Sequence, residues 1–158
     1  MIVGVPKEIK LQEHRIGLTP ESVKALTDKK HQVLVQDNGG FEAGFTNEDY
    51  IKSGAKIIKT PEEIFKTAEL IVKVKEPQMN EVKMIREGQI IYTYLHLAAA
   101  KELTIGLMKS KSVCIAYETV KDNVGGLPLL APMSAVAGRM SIQAGAHALE
   151  KNQKGRGL

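Results

Sequence analysis

The chain has 158 residues, and 22 Lys+Arg against 18 Asp+Glu leave a formal charge of +4 with histidine neutral. That is one domain's worth of chain, and at 43% hydrophobic and 25% charged residues it can bury a core, which excludes intrinsic disorder. A lone cysteine, Cys114, excludes a disulfide scaffold and makes the cytoplasm the expected compartment. The sequence pI of 9.1 raises the question of nucleic acid. The lysines are interleaved with acids, however, and 4% aromatics leave bases little to stack on, so no nucleic-acid partner is expected. The N-terminus, MIVGVPKEIK, meets charge directly after a short apolar run and matches neither a signal peptide nor a membrane span.

Ile2 to Val5 is a β-rich run closed by Pro6, and Pro20-Glu21 opens a helical pattern with Thr19 as N-cap and Val23 and Leu26 on one face. His31 to Gln36 is the second strand, followed by the turn-rich Asp37-Asn-Gly-Gly-Phe-Glu-Ala-Gly. Asn47 to Ser53 and Pro61 to Ala68 read as short helices around a weak strand at Lys56 to Ile58, and Leu70 to Lys75 is the next strand. A helix at Met79 to Arg86, a strand at Gln89 to Leu95, a helix at Lys101 to Lys109 and a strand at Ser112 to Tyr117 complete the alternation. Strands separated by helical segments cannot pair as hairpins, so the fold class is α/β, a doubly wound, mostly parallel, Rossmann-like sheet.

After turn chemistry at Lys121 to Pro128 comes a long helix, Ala131 to Lys151, with small residues at Ser134, Gly138, Ala144 and Ala148 that allow a close-packed partner, its own sheet or another surface. The polar tail from Lys151 reads as a linker or a cut end.

In an open parallel sheet, ligands collect beyond the carboxyl ends of the strands. Lys75, His96 and Glu118 end successive strand-like runs at spacings of 21 and 22 residues, about one βα unit, and so stand at equivalent positions facing one crevice. Strand alternation groups Lys75 with Lys73, and His96 with Tyr92 and Tyr94. Arg15, in the loop after the first strand, adds a planar fork that matches a carboxylate. Arg15, Lys75 and His96 together make a small-anion site with a proton donor, suited to a 2-oxo acid or an amino acid. His14 shapes its loop, His31 precedes a strand, His147 falls on a packing surface, and none has metal-ligand company. Cys114, mid-strand among apolar neighbours, reads as a buried inert thiol. No G-x-G-x-x-G follows a strand, so the usual dinucleotide turn is absent.

The segments Gly4-Val-Pro-Lys-Glu-Ile-Lys, Glu13-His-Arg-Ile-Gly-Leu-Thr-Pro, Val72-Lys-Val-Lys-Glu-Pro, Tyr94-Leu-His-Leu-Ala, Ala116-Tyr-Glu-Thr-Val and Pro132-Met-Ser-Ala-Val-Ala-Gly-Arg closely resemble alanine dehydrogenases across essentially the whole chain. That resemblance implies interconversion of L-alanine, NAD and water with pyruvate, ammonia and NADH, in homo-oligomers that are usually hexamers. It implies that Arg15 binds the substrate carboxylate, Lys75 polarises the carbonyl or imine, and His96 is the catalytic acid/base. Met133 and Ser134 match the helix start that approaches the nicotinamide dinucleotide, and Glu118 falls on a family-like segment with a supporting role at most. Residues 1–128 would be the substrate-domain portion, and 129–158 the connecting helix and the start of an NAD-binding domain. The family's glycine fingerprint lies beyond Leu158, so the expectation is a truncated chain, a proteolytic remnant or half of a split gene, inactive alone. The alternatives are a stand-alone module that binds a small acid and a fragment of a transhydrogenase-like nucleotide-binding subunit. A transhydrogenase would not be expected to need the Lys75 and His96 pair.

Overall fold

The computed structural model describes residues 1–157. They gather into two compact units, residues 1–117 and 118–157. In the first, the order is β1 (Ile2–Val5), α1 (Pro20–Asp28), β2 (Gln32–Gln36), α2 (Asn47–Lys52), β3 (Lys56–Ile58), α3 (Pro61–Thr67), β4 (Leu70–Val72), α4 (Met79–Val82), β5 (Ile90–Thr93), α5 (Lys101–Ser110) and β6 (Val113–Ala116). Thr19 caps α1 as expected, its side chain accepting from the Ser22 amide at 3.3 Å.

The strands form one sheet in the order β3-β2-β1-β4-β5-β6, with every adjacent pair parallel. The chain winds outward from β1 to β3, crosses back to lay β4 beside β1, then winds outward to β6. This is the doubly wound arrangement, with its switch point between β1 and β4. Period-two alternation divides the core between the two faces. Val3, Val5, Val33, Val35 and Val72 bury with Val23 of α1 and Tyr50 of α2, while Leu34, Ile71 and Ile91 bury with α3, α4 and α5 through Ile64, Phe65, Val82, Leu103 and Leu107. Gly4 sets the distance between β1 and α3: a Cβ there would stand 2.6 Å from Ile64 Cγ2 and 2.8 Å from Ala68 Cβ.

Three elements are shorter than the sequence predicts by three residues or more. The strand expected over 70–75 ends at Val72, because the amides of Val74 and Lys75 turn to a side chain rather than to the ladder. The helix expected over 79–86 ends at Val82, since Ile85 turns into the core and the Arg86 side chain donates to the carbonyls of Phe65 and Ala68. The strand expected over 89–95 covers Ile90–Thr93; the Gln89 side chain donates to the same two carbonyls at 2.8 Å.

In the second unit, the Asp122 carboxylate accepts from the amides of Val124 and Gly126 and closes a tight turn. Helix α6 (Ala131–Leu149) follows, with Pro in its first turn. None of the residues of α6 is buried, and Val136, Met140 and Ile142 are exposed. Among the described residues no helix is long and apolar enough to cross a membrane.

Candidate functional site

The loops that leave β1, β4 and β5 meet at the switch point, and two of the three expected side chains touch there. Lys75 Nζ lies 3.4 Å from His96 Nε2. Lys75 is partly exposed and also lies 3.9 Å from Glu76 Oε2. His96 takes a left-handed backbone (φ 48, ψ 39), so the chain swings out of β5 at this residue. Its ring stacks on Tyr94 with centroids 6.1 Å apart, and Tyr94 in turn meets Tyr117 edge-on at 5.0 Å. Tyr92 also packs edge-on against Tyr117, at 4.3 Å, which agrees with the expected grouping of His96 with the two tyrosines.

Arg15 forks onto a neighbour that the sequence reading passed over. Its Nε donates to Glu13 Oε1 at 2.8 Å and its Nη2 to Glu13 Oε2 at 2.6 Å. The bonded Arg15 guanidinium brings the Glu13 carboxyl down to about 2 against the opposing effect of burial, and Lys75 also contributes to the lowering. Arg15 is correspondingly raised, first by its bond to Glu13, with Glu8 and Tyr94 adding smaller fields. One carboxylate therefore feels both cations. His14 hydrogen-bonds the Glu42 carboxylate, which Lys7 also approaches at 3.4 Å, so the histidine joins its loop to a second one.

Beneath the site lies a buried charge cluster that the sequence did not reveal. Lys73 Nζ sits 3.0 Å from Glu8 Oε2 and 2.9 Å from Glu81 Oε1, all three side chains being shielded from solvent. The grouping of Lys73 with Lys75 fails, because β4 has ended and alternation no longer applies. Burial pushes the Glu81 carboxyl up, Lys73 pulls it back, and Glu8 adds to the rise. A lysine set among Leu, Ile and Val is the signal that a buried counter-charge must exist; nothing in the sequence says which acid supplies it.

The remaining residues are less concentrated. Glu118 lies on the 3₁₀ turn Tyr117–Thr119 rather than at a strand end. Met133 and Ser134 stand on the first turn of α6, in the second unit. Cys114 is half-buried rather than buried, with its Sγ 3.4 Å from Ser112 Oγ. His147 is exposed and lies 3.4 Å from Glu150, not on a packed surface. The switch-point crevice does not fit a dinucleotide: β1 runs into Pro6-Lys7-Glu8 without a glycine turn, and the buried Glu8 carboxylate would oppose a pyrophosphate.

Comparison with known proteins adds a consistent picture. The family model described as "Alanine dehydrogenase/PNT, N-terminal domain" matches residues 4–137. Over all 158 residues the chain is 52% identical to an alanine dehydrogenase of Halomonas elongata, of which it covers 43%. It is 49% identical to one of Methanococcus maripaludis, of which it covers 42%. A solved L-alanine dehydrogenase superposes on the whole chain with a TM-score of 0.91 at 47% identity, 44% of that structure being covered. A transhydrogenase from Sinorhizobium meliloti is more distant, with a TM-score of 0.70 and 26% identity over 75% of this chain and 35% of its own. The chain thus spans less than half the length of the relatives it matches.

Proposed function

The chain belongs to the alanine dehydrogenase/PNT family, whose N-terminal domain it carries, and from that premise we propose that it supplies the substrate-binding part of an NAD-dependent L-alanine dehydrogenase. The observation that carries the reading is the 3.4 Å approach of Lys75 Nζ to His96 Nε2. In this reading Arg15 takes the carboxylate of pyruvate or L-alanine, and Lys75 donates to the carbonyl or imine nitrogen side and draws electron density from the reacting carbon. His96 holds the proton exchanged as water adds to or leaves that carbon. Glu13, already seated on Arg15, fixes the orientation of the guanidinium that receives the substrate.

NAD is the proposed oxidant of the whole enzyme. Since the switch-point crevice does not suit a dinucleotide, its main site is assigned to the part of the relatives that this chain does not span, with Met133 and Ser134 of α6 touching it. Residues 1–128 then form the substrate-domain portion, and 129–158 lead into the dinucleotide domain. The proposed setting is the cytoplasm, and the proposed assembly is a homo-oligomer, consistent with the exposed Val136, Met140 and Ile142 of α6.

The test is calorimetric titration of the 158-residue chain with pyruvate. Saturable heat at millimolar ligand, weakened about 10- to 100-fold in Arg15→Ala and Lys75→Met, is expected; no heat from the parent chain would sink the substrate assignment. Mixed with NADH, pyruvate and ammonium, the same chain should be silent, and turnover would overturn the assignment of the dinucleotide site elsewhere.

A further inference from the structure

The three residues after β4 leave the pleat and yet keep every backbone polar group bonded. The Lys73 amide donates to the Tyr92 carbonyl at 3.1 Å, and the Val74 carbonyl accepts from the Tyr94 amide at 3.3 Å. The Lys73 carbonyl accepts from the Tyr117 hydroxyl and the Lys75 carbonyl from the Thr93 hydroxyl, each at 2.9 Å. The remaining two groups, the successive amides of Val74 and Lys75, both donate to Glu8 Oε1, at 2.6 and 3.3 Å. In a strand, successive amides point to opposite sides. One oxygen that collects two of them therefore ends β4 and turns Lys75 away from the side on which Lys73 lies. The other oxygen, Oε2, holds Lys73 Nζ at 3.0 Å.

We propose that Glu8 is the positioning residue of the site: its carboxylate accepts from Lys73, Val74 and Lys75 in turn and so holds the Lys75 side chain at His96. The inference rests on the reading of Lys75 as a substrate-binding residue and extends it to a residue that touches no substrate. Glu8 arrives from the loop that carries Arg15, so the same carboxylate ties the two cation-bearing loops together. Glutamine cannot replace it, because its amide oxygen can serve the turn only with its NH2 facing the Lys73 ammonium, donor against donor. Lys73 retains Glu81 at 2.9 Å, so the Glu8→Gln chain keeps a counter-charge in its core.

The experiment is a double-mutant cycle on the 158-residue chain, read first without ligand through the NMR signals of the His96 ring. Glu8→Gln should move those signals in the direction that Lys75→Met moves them, and should add nothing in the Lys75→Met background. A merely structural role predicts shifts that add. Additive shifts, or a folded Glu8→Gln chain whose His96 signals coincide with the parent's, would overturn the proposal. If Glu8→Gln loses its cooperative melt, Glu8→Asp is judged by the same two criteria, since it keeps the charge beside Lys73 but shortens the reach to the amides. Pyruvate affinity is the second readout, with a loss of about tenfold in Glu8→Gln and no further loss in the Lys75→Met background. A parent chain that binds no pyruvate defeats the substrate reading alone, and the His96 spectra still decide the role of Glu8.

Discussion

Lys73 and Lys75 stand two residues apart in one run of sequence, and they do opposite work. Lys73 is fully buried between two carboxylates and joins three segments of chain. Lys75 keeps 21% of its side chain in solvent and has a histidine nitrogen as its near neighbour. The first is a charge that the fold must satisfy; the second is a charge that the fold presents. The difference comes from a single carboxylate, Glu8, which gathers the amides of Val74 and Lys75 just past the end of the strand. Identity of residue type says little about role until the counter-charges are located.

The sharpest way to break the contrast is Lys73→Met, which leaves Glu8 and Glu81 facing each other in the core without a cation. It should cost about 3–5 kcal/mol, the range for breaking a buried ion pair from one side. Urea denaturation would read it, and a loss within experimental error of zero would mean that water reaches the cluster. Lys75→Met should leave stability within about 0.5 kcal/mol of the parent yet weaken pyruvate binding by about 10- to 100-fold, the loss of a charged hydrogen bond. Equal damage to stability from both substitutions would erase the distinction.

The smallest effect is one of pH, and its sign differs between the two layers. Glu81 is raised, so its contribution to stability is present below the carboxyl's unfolded value and is lost as pH rises through the folded one. Glu13 is lowered from 4.5 to about 2, so its contribution is present above 4.5 and is lost as pH falls toward 2. Because Glu13 pairs with a half-exposed arginine, solvent screening holds its worth to about 0.2–1 kcal/mol. Glu13→Gln should therefore flatten the acid side of the stability curve, and Glu81→Gln should remove the decline above the ordinary carboxyl range. Denaturant midpoints measured between pH 2 and pH 7 would check both, and identical slopes in the two variants would contradict the assignment.

The sequence carried the architecture well because hydrophobic periodicity and capping are local. The Thr19 cap, the three-residue β3 and the parallel winding all follow from neighbours within a few positions. The meeting of Lys75 with His96 was legible for a different reason, the regular repeat of one βα unit. What could not be read was set by distant partners. Glu8 reaches the turn after β4 from 65 or more residues away and ends the strand early, so alternation misplaced Lys73. Glu13 went unnoticed although it is only two residues from Arg15, because a loop carries no periodicity to say which way its side chains turn.

The winding order also governs time. β1 and β4 are neighbours in space, with Val3 opposite Leu70, but three complete crossovers of chain separate them. Closing so long a segment must precede any reward from the contacts it makes, and such non-local pairing is the slow part of forming a parallel sheet. The half built from β1, β2 and β3 can therefore gather first, and the approach of Lys75 to His96 comes into being only once β4 docks. Recovery of ligand binding during refolding should lag behind recovery of helical signal, which makes the anion site a clock for the last step of assembly.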